Sequence, residues 1–168
     1  ASTCASTCIP TAAFGPSLLR AEPAKEKLNI AFIGYGKRAY AVMSQALREK
    51  DVRIVAVCEV EGIRRAKAKE VVEKKYAGEM KSGSYKGCNV YIDYRELLQR
   101  DDLDAVVIMT PDHMHVHVSL AAAAKKLDIY CEKPLTHNIA EGRLLVDAVK
   151  KNKIIFQTGS QQRSEFGG

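Results

Sequence analysis

The chain has 168 residues, of which 46% are hydrophobic and 27% charged, and a formal charge of +6. That is the make-up of one globular domain large enough to bury a sizeable core. No apolar run approaches the roughly 18 residues needed to span a bilayer. Lys and Arg alternate with Glu along helical stretches instead of clustering, which argues against a nucleic-acid partner. A modest positive field still suits an anionic dinucleotide. The cysteines, Cys4, Cys8, Cys58, Cys88 and Cys131, are odd in number and form no CxxC pair, so a disulfide framework is not expected. Cys4 and Cys8 have no nearby His or further Cys to complete a metal site.

Residues 1–27 are rich in Ala, Ser, Thr and Pro and show no amphipathic period. Their apolar part, Ile9 to Leu19, is interrupted by Pro10, Gly15 and Pro16. Two readings stand: the back half of an export signal without its charged start, or a disordered leader. From Leu28 the pattern alternates strand with helix. Leu28 to Ile33 reads as a buried strand, Lys37 to Lys50 as a helix, Arg53 to Cys58 as a strand and Ile63 to Tyr76 as a helix. Gly78 to Cys88, rich in Gly and Ser, reads as an exposed loop. Tyr94 to Arg100 is a short helix, Asp104 to Met109 a strand, His113 to Lys126 an Ala-rich helix and Asp128 to Cys131 a strand. Ile139 to Lys151 is a helix and Ile154 to Thr158 the last strand.

Strands that are apolar throughout and separated by helices predict an α/β fold, a doubly wound parallel sheet of the Rossmann type. Its binding crevice lies at the strand carboxyl ends. Each chemically suggestive motif falls at such an end. Gly34-Tyr35-Gly36-Lys37-Arg38-Ala39 is a GxGxxA turn between strand and helix. Gly34 permits the tight turn, Gly36 admits a pyrophosphate, and Ala39 allows close helix packing. Glu59, at the end of the second strand, is placed to accept from the adenosine ribose and to repel a 2′-phosphate, which favours NAD over NADP. Arg64 and Arg65 are the reservation, since a nearby Arg can accept that phosphate; their simpler place is the solvent face of the second helix. His113 and His117 share a helix face, but no carboxylate follows at zinc-like spacing, so no metal is expected.

Tyr130-Cys131-Glu132-Lys133-Pro134-Leu135 places a Glu-Lys pair directly after a buried strand, and such a pair belongs at a crevice rim. With Gly34-Tyr35-Gly36, Glu59, Thr110-Pro111-Asp112-His113-Met114-His115 and Glu132-Lys133-Pro134 in this order, the sequence resembles the Gfo/Idh/MocA oxidoreductases over residues 28 to 168. The resemblance implies hydride transfer between NAD and a sugar or polyol carbon, with Lys133 as the catalytic residue beside nicotinamide and substrate. It also implies that Tyr35, Lys37, Arg38, Thr110, Pro111, His115 and Glu132 line the dinucleotide groove, that Gln161 approaches the nicotinamide, and that Arg163 borders the substrate. The resemblance further implies a second α/β domain through which members associate as homo-oligomers, and the expectation is that it lies beyond these 168 residues. Secreted members often carry twin-arginine leaders, so a periplasmic or exported location is expected, with the cytoplasm as the alternative. An NAD-dependent glycosidase of the same family would use the same residues, and a nucleotide-binding module without turnover would use only some of them. An S-adenosylmethionine methyltransferase shares the Gly-rich turn and the strand-two acid, but gives no reason for Glu132-Lys133-Pro134.

Overall fold

A strand that is apolar on both faces is stable only in a sheet covered on both sides. The computed structural model describes residues 27–160. In chain order its elements are β1 (Leu28–Ile33), α1 (Lys37–Ala46), β2 (Val52–Cys58), α2 (Gly62–Lys75), α3 (Ala77–Lys81), β3 (Asn89–Tyr91) and α4 (Tyr94–Leu97). There follow β4 (Ala105–Ile108), a 3-10 turn (Asp112–Met114), α5 (His115–Ala124), β5 (Asp128–Cys131), α6 (Ile139–Asn152) and β6 (Phe156–Thr158). The strands form one sheet in the order β3-β2-β1-β4-β5-β6, every neighbouring pair parallel. This is the doubly wound order, with the reversal between β1 and β4. Phe32, Ile54, Val57, Val106 and Ile108 fill the interior with no exposed surface.

One row of hydrogen bonds organises the carboxyl edge. The residue just past each strand donates its amide to the last residue of the neighbour: Glu59 to Tyr91 O (3.0 Å), Gly34 to Cys58 O (2.8 Å), Met109 to Ile33 O (2.8 Å), Glu132 to Ile108 O (3.1 Å) and Gly159 to Cys131 O (2.8 Å). Glu59, Gly34, Met109, Glu132 and Gly159 therefore stand side by side, although they are scattered over the sequence.

The structure differs from the sequence expectation at several points. The stretch 78–88, expected as an exposed loop, begins within α3. Glu79 on that helix accepts from Lys27 Nζ (3.1 Å) and Arg53 Nη2 (2.9 Å), which ties the helix to the amino ends of β1 and β2. Tyr85 is buried and donates its hydroxyl to the Ile54 carbonyl at 2.7 Å, with its ring centroid 4.8 Å from that of Tyr76. Burial pushes the Tyr85 phenol well above its ordinary range. The short edge strand β3 had no apolar signal, because two of its three residues are exposed. Helix α1 ends at Ala46, short of Lys50, and the helix expected from His113 opens with the 3-10 turn. Helix α6 begins where expected: Asn138 Oδ1 accepts from the Glu141 amide at 2.9 Å, and Glu141 accepts in turn from the His137 amide at 2.9 Å, a reciprocal cap. Apart from Lys27, the residues of the expected leader lie outside those described.

Gly34 and Gly36 should behave oppositely on substitution. Gly34 has φ +93°, and a Cβ there would stand 2.6 Å from the Met109 carbonyl oxygen and 2.8 Å from the Thr110 amide nitrogen. A Cβ on Gly36 meets nothing within 4 Å. Urea denaturation should show Gly34→Ala losing about 3 kcal/mol or more, and Gly36→Ala staying within about 0.5 kcal/mol of wild type. Equal losses would mean that the two strand ends do not constrain the turn.

Candidate functional site

The sheet reversal opens a crevice of about 560 Å³ between the ends of β1 and β4. Gly34, Gly36, Lys37, Arg38, Glu59, Thr110 and Pro111 all line it, as the sequence predicts. Gly36 is the N-cap of α1 in an extended conformation, with no side chain capping the helix and no acidic residue in the first turn. The first-turn amides and the positive end of the helix therefore face the space that a Cβ on Gly36 would occupy. An uncapped helix start beside open space suits a phosphate. Ala39, 1% exposed, lets α1 pack directly on the sheet.

Glu59 is buried at the far side of the turn. Its Oε2 accepts from the Tyr35 amide at 2.7 Å and its Oε1 from the Glu61 amide at 2.9 Å. The carboxylate thus borders the crevice while holding the turn in place. Tyr35 lends that amide to Glu59, while its ring is buried in the core and burial raises its phenol, with Tyr40 and Glu70 adding to the effect. Arg64 is exposed, as expected, and at the same time lines the crevice and pairs with Glu61 at 2.8 Å. Arg65 turns back onto the Glu59 carbonyl at 2.6 Å. Cys58 also borders the crevice, but burial first, then Asp93 and Glu59, push its thiol up to about 12, so it is held as an inert thiol.

A second cavity of about 340 Å³ holds Lys133, which is exposed. It shares Arg38, Met109 and Thr110 with the crevice, so the two adjoin along one cleft edge. His115, expected in the dinucleotide groove, lines this second cavity and is also a buried brace. It is 2% exposed, with Nδ1 2.6 Å from the Pro134 carbonyl and Nε2 2.9 Å from that of Thr110, so it joins the two loops that flank Lys133. Glu132, an expected cofactor contact, lines the same cavity. It is buried, and its oxygens accept from Arg38 Nε (2.9 Å) and the Lys133 amide (2.7 Å). His113 stands exposed at the crevice rim and His117 is exposed on α5. Among the described residues no group of three or more His, Cys, Asp or Glu could hold a metal. Gln161 and Arg163 lie outside the described residues.

The sequence reading missed Ile92 and Tyr94 at the far wall, and Met114 and Val118 at the floor. Ile92 and Tyr94 sit just past β3, the strand that carried no signal. Val118 falls one turn after Met114 on the inner face of α5, a helical spacing that was available in the sequence. Gly159 was also overlooked; its place in the carboxyl-edge row depends on the β5–β6 register.

Comparison with known proteins agrees with this geometry. Residues 28–160, well over half of the chain, match the family model described as "Oxidoreductase family, NAD-binding Rossmann fold". A glycosyl hydrolase family 109 protein of Shewanella sp. (strain ANA-3) is 29% identical over 147 residues, covering 86% of this chain and 31% of the relative. A levoglucosan dehydrogenase of Pseudarthrobacter phenanthrenivorans is 35% identical over 71 residues, covering 42% of this chain and 18% of the relative. A probable dehydrogenase from Thermotoga maritima superimposes with a TM-score of 0.70 at 25% identity, covering 82% of this chain and 38% of that structure. The chain thus spans less than two fifths of the length of each of these relatives. The methyltransferase alternative accounts for neither the family match nor the Lys133 cleft. The chain belongs to the Gfo/Idh/MocA oxidoreductase family, and residues 28–160 are its NAD-binding Rossmann domain.

Proposed function

We propose that this domain serves reversible hydride transfer to or from a hydroxyl-bearing carbon of a sugar or polyol. The observation that carries the proposal is the position of Lys133, exposed in a cavity that adjoins the dinucleotide crevice while its backbone is fixed by Glu132. Bound NAD would supply the hydride acceptor or donor. The remaining work falls to this chain. Gly36 and the start of α1 hold a phosphate, Glu59 faces the ribose end, and Lys133 donates a hydrogen bond to the substrate oxygen. When hydride adds to the carbonyl carbon, negative charge grows on that oxygen, and the Lys133 ammonium stabilises it and gives it a proton; in the reverse direction the Lys133 amine takes the hydroxyl proton as hydride leaves the carbon for NAD. The name of the Shewanella relative supports a second reading, a glycosidase that oxidises, eliminates and reduces again. Product analysis separates the two: a glycoside converted to free sugar with no net change in NADH supports the second, and accumulation of a keto sugar with NADH supports the first.

Glu59 fixes the expected cofactor preference. A carboxylate at the ribose end repels a 2′-phosphate, so NADH should bind at least tenfold tighter than NADPH, about 1.4 kcal/mol. Glu59→Gln, which keeps an oxygen for one of the two backbone donors, should narrow that gap. Calorimetry giving equal affinities for the wild type would assign the choice to Arg64 instead.

Lys133→Met keeps much of the side-chain length and removes the donor. In the catalytically complete polypeptide, kcat should fall roughly a hundredfold or more, while NADH affinity stays within about twofold of wild type. Turnover that survives together with a lowered melting temperature would make Lys133 a structural residue.

A further inference from the structure

Three segments distant in sequence meet at the Glu132 carboxylate. The side chain is buried, and a buried carboxylate is stable only where donors satisfy it. Oε1 accepts from Arg38 Nε at 2.9 Å, and Oε2 accepts from the Lys133 amide at 2.7 Å. On the remaining side stands Gly159. A Cβ there would lie 2.8 Å from both Glu132 Oε2 and the Tyr130 hydroxyl, and 2.9 Å from the Glu132 carboxyl carbon. Gly159 has no positive φ, so the glycine is present for room and not for conformation. Its amide bonds the Cys131 carbonyl at 2.8 Å, which keeps it from backing away.

We propose that Glu132 is a positioning residue which, through Arg38, fixes the Lys133 segment to the nucleotide-binding turn, so that dinucleotide binding and the placement of Lys133 are coupled. This rests on the reading of Lys133 as the group that acts on substrate. Arg38 is the second residue of α1, on the turn whose amides face the phosphate cradle, and it lines both halves of the cleft. An anion seated at the helix start restrains that turn, and with it Arg38, Glu132 and the Lys133 amide. The links are short and charge-assisted at Arg38. His115 secures the far end of the same segment at the Pro134 carbonyl. The coupling is reciprocal: breaking the strut weakens dinucleotide binding by the factor that binding no longer contributes to ordering the segment.

Hydrogen exchange on the 168-residue chain, read by mass spectrometry with and without saturating NADH, tests the coupling. In wild type, NADH should slow exchange at least fivefold in peptides covering 34–39 and also in those covering 131–136. In Arg38→Met the free protein should exchange at 131–136 at least tenfold faster than wild type. NADH should then protect 34–39 without protecting 131–136, and Arg38→Lys should recover part of the loss. Gly159→Ala pushes the carboxylate from the opposite side and should produce the same acceleration, confined to 131–136. It carries the NADH comparison as well if Arg38→Met fails to fold or to bind NADH. Wild-type exchange and NADH response at 131–136 in these variants would overturn the proposal, as would acceleration spread evenly over all strands. Lys133→Met retains the amide and should leave the coupling intact. Loss of the catalytic reading through that variant therefore shows separately from loss of the strut.

Discussion

The site depends on the last row of hydrogen bonds at the carboxyl edge of the sheet. Glu59, Gly34, Met109, Glu132 and Gly159 each donate an amide to the end of the neighbouring strand, so the functional loops all depart from one line. The order β3-β2-β1-β4-β5-β6 sends the chain away in opposite directions from β1 and β4. No crossover helix covers that junction, and it becomes the crevice. The two strand ends there approach so closely that only glycine fits at position 34. The tight turn of the motif is thus a consequence of the sheet order, and the open helix start at Gly36 is a consequence of the turn.

The two carboxylates in that row do similar work. Glu59 grips the Tyr35 amide from the β2 side, and Glu132 grips Arg38 from the β5 side. The nucleotide-binding turn is pinned at both flanks, and Gly36 and Lys37 are left between them with no side-chain cap. Each acid also accepts a nearby backbone amide, Glu61 for one and Lys133 for the other. Buried carboxylates are tolerated only when their lone pairs are satisfied. Here the donors that satisfy them belong to the loops that must be held still. Preorganisation of this kind places binding groups before the ligand arrives, so less ordering is left to the binding step.

Much of this was legible in the sequence, for a definite reason. β1, β2, β4 and β5 are apolar on both faces, and a GxGxxA turn at the end of the first has few structural contexts. The motifs gave location correctly but not direction. Tyr35, His115 and Glu132 lie where the reading put them, yet the Tyr35 ring is in the core, His115 bridges Thr110 to Pro134, and Glu132 faces Arg38. A residue's place in a motif fixes its backbone; the side chain turns toward whichever partner the fold brings near, and those partners lie far away in sequence. The same cause hid α3 and β3. Their anchors, Glu79 to Lys27 and Arg53 and Tyr85 to Ile54, are long-range bonds in a segment whose local composition signals only a loop.

The distribution of charge along the cleft follows from this arrangement. Lys37, Arg38, Arg64 and Lys133 all border it, and of the carboxylates there Glu132 is compensated by Arg38, while Asp112 stands 3.3 Å from His137 Nε2. Glu59 differs, because its two carboxylate oxygens accept from neutral backbone amides, those of Tyr35 and Glu61. On the proposed function, the cleft would offer a positive start of α1 to the bridging phosphates and a negative charge at the ribose end. Attraction for a pyrophosphate and repulsion of a further phosphate one sugar away would then be built from the same turn, because the Tyr35 N–H is bonded to Glu59. A change that loosened Glu59 would weaken both effects together, since the group that discriminates also holds the cradle in shape.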